Sequence, residues 1–242
     1  MRGSHETMAS STEMELRRVL ADCCSILYRL GLTDYMGHPS ARIPGTDHIL
    51  IKPRHSLRIR AMDKVKPEDM IIIDLNGNFV EGADGPPAER FIHTCIYRAR
   101  PDVQSIIHTH QPMATIMGVA GQPILPILHV ESPLVERPVP IWPCAKLVTD
   151  DELGNQLAQS LGDHSIGILQ GHGIVSVAST IQESTIGAIH LERLADANYK
   201  VRAINSEPRV IPAEEIRQLK ERGVGTDVRW AYYAELAGVS PD

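Results

Sequence analysis

Apolar residues recur at helical spacing from Met14 to Leu30, with Leu16, Val19, Leu20, Cys23, Ile26, Leu27 and Leu30 on one face and Gly31 as the stop. That pattern predicts a first helix over 14–30. The segment GLTDYMGHPSARI follows, with the glycines of a turn leading into a strand that contains Ser40 to Ile43. Two short runs, HILIKP and DMIIIDL, predict strands, the second closing in a turn at Asn76-Gly77-Asn78. In VEGADGPPAE two prolines stand just before a helical pattern from Ala88 to Ala99, where a missing backbone N–H costs nothing. Further on, DVQSIIHTHQP reads as a strand ending in a histidine pair, and QPILPILHV as another short extended run. HSIGILQ and IVSVA form two strands joined by a tight turn at Gly171-His172-Gly173. A long helix starts near Thr180, capped by Ser179 or Thr180 with Gln182 or Glu183 completing a capping box, and runs to about Ala203. Two shorter helices follow in AEEIRQLKERG and TDVRWAYYAELAG. The order gives a mixed layered α/β fold, a central sheet with helices at its edges, and not regular βαβ repeats.

Composition narrows the functional classes. The chain has 242 residues, 43% hydrophobic and 22% charged, as expected of one large packed domain. Lysine and arginine number 24 against 30 acidic residues, a formal charge of -6, so nucleic acid is not an expected partner. Cys23, Cys24, Cys95 and Cys144 form no CxxC and no close repeat, which fits a reducing cytoplasm. With no long apolar run and no signal-peptide core, neither a membrane span nor secretion is expected. The opening MRGSHETMAS, residues 1–10, reads as expression-vector residue, so His5 is left out of the site, and residues 11–242 are expected to form a single catalytic domain.

The chemistry lies in the histidines. His108 and His110 are one residue apart on a predicted strand, so both imidazoles project from one face towards a single ion. Alone, an HTH sequence also fits two ordinary polar strand residues. His172 adds a third imidazole, framed by two glycines directly after an apolar strand, where the backbone can come close to a ligand. Together they predict a divalent metal held by His108, His110 and His172, a donor set that suits zinc, manganese, iron or cobalt. Glu89 is the candidate carboxylate for proton chemistry, at the start of a helix whose dipole favours its charge. His93, four residues on, shares its face, either beside the site or as a satisfied core histidine.

The run PPAERFIHTCIYRARPDVQSIIHTH, followed by LQGHG, resembles the class II aldolase and adducin superfamily, from about Met14 to Leu236. The resemblance implies a single layered α/β/α domain with a central, mainly antiparallel sheet, usually assembled as a homotetramer with active sites near subunit interfaces. It implies one divalent metal per subunit, Mn2+ or Zn2+ first and Fe2+ or Co2+ as alternatives, bound by His108, His110 and His172. Glu89 matches the family's catalytic or metal-contacting glutamate, and His93 and Tyr97 complete its E-xxx-H-xxx-Y pattern as residues behind the ligands. A C-terminal tyrosine, here among Trp230, Tyr232 and Tyr233, is expected near a neighbouring subunit's metal or in an amphipathic packing stripe. His129 and Glu131 are placed either along the pocket or in packing.

Sugar-phosphate aldolases of this family hold phosphate with a GN motif, a serine or threonine followed by glycine, and a serine pair before the glutamate. These positions here read Gly37-His38, Ile51-Lys52-Pro53-Arg54 and Pro87-Ala88. Small hydroxyl and amide donors are replaced by His38, Arg42, Lys52 and Arg54, a set suited to a carboxylate substrate. GHPSAR and ILIKPR are similar to the branch that decarboxylates hydroxylated aromatic or pyridine dicarboxylates. The expected activity is therefore a metal-dependent carboxy-lyase of aromatic compound degradation, with Glu89 moving the proton. Aldol cleavage of an unphosphorylated hydroxy-keto acid or sugar derivative is the second reading, and a non-catalytic adducin-like interaction module the third.

Overall fold

The computed structural model describes residues 2–240, with side chains described from residue 11 onward, so the side chains of the opening ten residues lie outside the described residues. Eight strands form one sheet: β1 (His38–Arg42), β2 (His48–Ile51), β3 (Ile71–Asp74), β4 (Phe79–Glu81), β5 (Ser105–Thr109), β6 (Ile141–Trp142), β7 (Ile166–Leu169) and β8 (Gly173–Ala178). Their order is β4-β3-β2-β1-β5-β8-β7-β6. Every pairing is antiparallel except β6 with β7.

Alternation along the strands sends side chains to two separate apolar layers. Ile49 and Ile51 face one layer and Leu50 the other; Ile106 and Ile107 divide the same way. One face is covered by α1 (Arg2–Arg29), α3 (Pro112–Val119), α5 (Ile181–Ala203) and α7 (Thr226–Leu236), which bury Leu20, Ile26, Leu27, Ala114, Leu191, Leu194 and Ala234. The opposite face carries α2 (Arg90–Ala99) and α4 (Asp151–Leu161), which bury Ile92, Ile96, Leu157 and Leu161. The result is the expected α/β/α layering. Helix α6 (Ala213–Arg222) lies outside it and buries only Ile216.

The caps agree with the sequence. Thr180 accepts the Glu183 amide at 3.1 Å, and the Ser179 hydroxyl donates to the Glu183 carboxylate at 2.6 Å. Differences are local. The QPILPILHV run is not a strand: Pro123 and Pro126 lack the N–H a ladder needs, and the chain passes as irregular backbone into a short 3-10 turn, Ser132–Val135. Glu89 is the N-cap of α2 and not a member of its first turn, and β5 stops at Thr109, so His110 stands one residue past the strand. All four cysteines are free, and among the described residues no helix is long and apolar enough to cross a membrane.

Candidate metal centre and adjoining cavity

The C-terminal end of β5, the start of β8, the turn before it and the start of α2 meet at one end of the sheet's central strands. His108 projects from β5 towards the α2 layer, as its parity with Ile106 requires. His110 follows where the strand ends. His172 occupies the turn between β7 and β8, and this close approach depends on glycine. A Cβ at Gly173 would lie 2.4 Å from the Thr109 carbonyl oxygen and 3.0 Å from the His110 ring. Gly37, at φ +91, brings His38 beside the site; a Cβ there would lie 2.9 Å from the His108 carbonyl oxygen.

One donor atom each from Glu89, His108, His110 and His172 lies within 4.8 Å of all the others. The Nδ1–H of His108 donates to the Ile174 carbonyl at 2.9 Å, which leaves its Nε2 as a lone pair facing the cluster, 3.2 Å from His110 Nε2. Glu89 Oε1 accepts the Val148 amide at 3.0 Å and stands 3.4 Å from His172 Nε2; its Oε2 is 3.8 Å from His108 Nε2. Both nitrogens of His172 are buried without a hydrogen-bond partner. Buried polar atoms normally find partners, at a cost of about 1–3 kcal/mol when they do not. A divalent cation at this point would take up one of the orphaned His172 nitrogens, with the other two imidazoles and the Glu89 carboxylate as further ligands, so the residues fit the metal that the sequence predicts.

Electrostatics agree. Burial by itself would raise the Glu89 carboxyl, yet the neighbouring His172 and His108 and the Val148 amide outweigh it and hold the group down at about 2. Burial, with His172 next, keeps His108 well below the usual histidine range, so it is a neutral donor. The site therefore sets an ionised Glu89 carboxylate beside a neutral His108 imidazole.

A cavity of about 840 Å³ adjoins the cluster at Glu89 and is lined by His38, Lys52, Arg54, His55 and Tyr35, with Pro86, Pro87 and Leu147 also on its walls. Lys52 is 2% exposed, and its ammonium donates only to the Pro53 carbonyl, at 3.2 Å. Burial depresses its pKa. Among the described residues neither Lys52 nor Arg54 forms an ion pair. Two cations without an ion-pair partner among the described residues thus share a cavity with Glu89, the carboxylate of the donor cluster.

Three of the four residues expected to bind substrate, His38, Lys52 and Arg54, line this cavity. Arg42 does not, and this corrects the sequence reading. It shares a sheet face with His38 but lies four residues, about 13 Å, further along β1. There its Nε donates to the Val103 carbonyl at 2.8 Å, and its Nη2 to the Tyr97 carbonyl, at the C-terminal end of α2 where carbonyls lack helical partners. His93 and Tyr97 are not at the donor cluster either: His93 contacts His38, and Tyr97 contacts Ser40. His129 borders a separate groove against α6, and Glu131 pairs with Arg193 at 3.2 Å. Tyr233 packs on His190, with ring centroids 6.2 Å apart, while Tyr232 is exposed. Sequence reasoning missed the Val148 amide, Leu147, Tyr35 and His55. The last two form an edge-to-face pair at 5.3 Å, and no spacing in the sequence joins them.

A layered α/β domain with a candidate three-histidine, one-carboxylate centre at the ends of its central strands defines the class of protein. The chain belongs to the Class II Aldolase and Adducin N-terminal domain family, which matches residues 18–199. It is 28% identical over 245 residues to the 3,4-dihydroxyphthalate decarboxylase of Arthrobacter keyseri, covering 97% of this chain and 98% of that one. To L-fuculose phosphate aldolase of Escherichia coli it is 28% identical over 209 residues, covering 86% and 94%. The L-fuculose 1-phosphate aldolase structure from Glaciozyma antarctica superposes with a TM-score of 0.80 at 21% identity, over 95% of this chain and 92% of that one, which shows the shared fold.

Proposed function

We propose that this chain is a metal-dependent carbon–carbon lyase that releases carbon dioxide from a hydroxylated aromatic or pyridine dicarboxylate. The observation that carries the reading is the pair of cations without an ion-pair partner, Lys52 and Arg54, in one cavity with Glu89, the carboxylate of the Glu89–His108–His110–His172 cluster. A substrate with a carboxylate at one end and a chelating hydroxyl and carboxylate at the other matches both. The proline and leucine walls suit a flat ring better than a polyhydroxylated chain. Likeness to the dihydroxyphthalate decarboxylase over nearly the whole chain supports the same choice.

Bound divalent metal, Mn2+ or Zn2+ in this reading, supplies Lewis-acid stabilisation of negative charge developing on substrate oxygen. The protein does the rest. Lys52 and Arg54 grip the carboxylate that is retained, which fixes the ring against the cluster. Glu89, ionised at rest, takes the proton of the substrate hydroxyl on its side and returns it to the ring carbon that bears the departing carboxylate. The electron pair of the breaking C–C bond then restores the ring as carbon dioxide leaves. In this proposal the enzyme is a homotetramer, as the family resemblance implies, working in the reducing cytoplasm that its unpaired cysteines fit.

Aldol cleavage uses the same cluster, and the likeness to the fuculose phosphate aldolase favours it as the second reading. Metal-loaded protein incubated with 3,4-dihydroxyphthalate, a hydroxypyridine dicarboxylate and an unphosphorylated hydroxy-keto acid separates the two. Carbon dioxide from the aromatic members is the expected result. Aldehyde or pyruvate without carbon dioxide would replace the decarboxylase by the aldolase.

A further inference from the structure

Behind the cavity runs a chain of buried polar groups that the reaction above does not use. His38 Nδ1 is 2.7 Å from His93 Nε2, His93 Nδ1 is 2.6 Å from Ser40 Oγ, and Ser40 Oγ is 2.9 Å from the Tyr97 hydroxyl. The Tyr97 hydroxyl in turn donates to the Gln104 carbonyl at 3.4 Å. His93, Ser40 and Tyr97 are at most 1% exposed, and only His38 reaches the cavity. We propose that this relay fixes His38 as its Nδ1–H tautomer, so that the Nε2 lone pair faces the cavity and accepts a hydrogen bond from a hydroxyl of the substrate.

The direction follows from the last acceptor. A carbonyl oxygen can only accept, so Tyr97 donates to Gln104. Ser40 then donates to Tyr97, His93 Nδ1–H donates to Ser40, and His38 Nδ1–H donates to His93 Nε2. In this sense all four contacts are hydrogen bonds. Run the other way, Tyr97 donates to Ser40, and the Gln104 bond is lost while the remaining three are kept. In a buried network the arrangement that satisfies every member is favoured. The cavity pushes the same way: Lys52 stands on the same wall as His38, and a lone pair is better placed than an N–H beside its ammonium. In the favoured sense the two ring nitrogens of His93 donate one bond and accept the other, which only a neutral imidazole can do.

This reassigns His38. A neutral imidazole offering a lone pair repels a carboxylate, so that anion falls to Lys52 and Arg54, and His38 selects for a hydroxyl donor between them and the metal cluster. Ser40, His93 and Tyr97 are positioning residues that act through His38. The choice of hydroxyl as partner rests on the reading of the substrate given above; the tautomer does not.

The test uses zinc-loaded, 15N-labelled full-length protein and long-range 1H–15N correlation of the histidine rings, with the His38 signals assigned by their loss in His38→Gln. A protonated Nδ1 and a bare Nε2 on His38 are expected. A protonated Nε2 would overturn the proposal, whatever the enzyme proves to catalyse, and only the assignment variant His38→Gln has to fold for that result. In Tyr97→Phe, which removes the end of the chain while keeping the ring, Ser40 is left to donate to His93 and the His38 tautomer inverts. Affinity for 3-hydroxyphthalate relative to phthalate then falls about tenfold, with metal content unchanged. An unchanged tautomer in the variant would show that the relay does not set it. An inverted tautomer with an unchanged affinity ratio would leave the relay standing and remove the substrate hydroxyl as its target.

Discussion

Two groups of histidines meet at one end of the central strands, with the rings of His38 and His108 5.1 Å apart, and they are built in opposite ways. In the relay through His38, His93, Ser40 and Tyr97 each contact is made within the protein. In the cluster of His108, His110 and His172 the donors converge on one another, and His172 has no partner for either nitrogen. The satisfied group holds a geometry, whereas the unsatisfied group waits for something from outside. His190 supplies the control. Its Nε2 is also buried without a partner, yet no other donors converge on it, so an orphaned nitrogen alone does not mark a ligand site.

The largest effect expected from this contrast is in the cluster. His172→Ala should abolish metal retention and lower turnover by more than about two orders of magnitude, beyond what loss of a residue behind the ligands costs. The metal-free variant should melt no lower than the metal-free parent, because the change removes two unsatisfied nitrogens. Metal analysis and calorimetry check this, and a metal-free variant that melts well below its parent would mean that His172 holds the fold. Next, Lys52→Met should weaken binding of a dicarboxylate about 10- to 100-fold, read by titration calorimetry, while raising the melting temperature of the substrate-free protein, since an unpaired buried ammonium is costly.

The third effect concerns pH. Burial, followed by Arg229 and Arg193, lowers His190 from 6.5 to about 4. Between those values the unfolded chain takes up a proton that the folded chain refuses, so stability falls as pH falls from 6.5 to about 4 and this contribution is constant outside that window. Denaturation of the metal-free protein should show His190→Phe losing less stability than the parent across the window, by about 2–3 kcal/mol; parallel curves would refute the assignment. Arg42→Met should be the mildest. It should cost about 1–2 kcal/mol of stability through the lost carbonyl contacts and change substrate affinity by less than about threefold. A large rise in KM would return Arg42 to the cavity.

Much of this was legible in the sequence, and for definite reasons. Short apolar runs bounded by turn residues placed β2, β3, β5, β7 and β8, and helical spacing with caps placed α2 and α5 to within a few residues; for α1 it placed the C-terminal end, while the helix starts at Arg2, twelve residues before the expected Met14. The three histidines could be read because strand parity and flanking glycines are local. What was lost depended on distance or on brevity. Strand β6 has two residues and no alternation to show. The eight-residue α3 begins on a proline directly after the histidine pair, where the sequence suggested only the strand's end. Helix α4 had a readable signal that went unused, an Asp150 cap with Leu153, Leu157 and Leu161 four apart and Gly162 as its stop. Arg42 carried the right chemistry on the right face at the wrong end of its strand, and only the docking of α2 decides that. The Val148 amide that steadies Glu89 is a backbone group 59 residues away, for which a sequence gives no sign.

The glycines bear on how such a chain can change over generations. Gly173 and Gly37 are closed to every other side chain, by a carbonyl 2.4 Å away in one case and 2.9 Å in the other, whereas Gly225 has ordinary φ and nothing within 4 Å of where a Cβ would be. In a saturation library selected for activity, positions 37 and 173 should return glycine alone and position 225 almost any residue. Lineages that exchange one substrate for another are then free to rewrite the cavity walls at Lys52, Arg54 and Pro87, while the two backbone contacts that seat the histidines hold still.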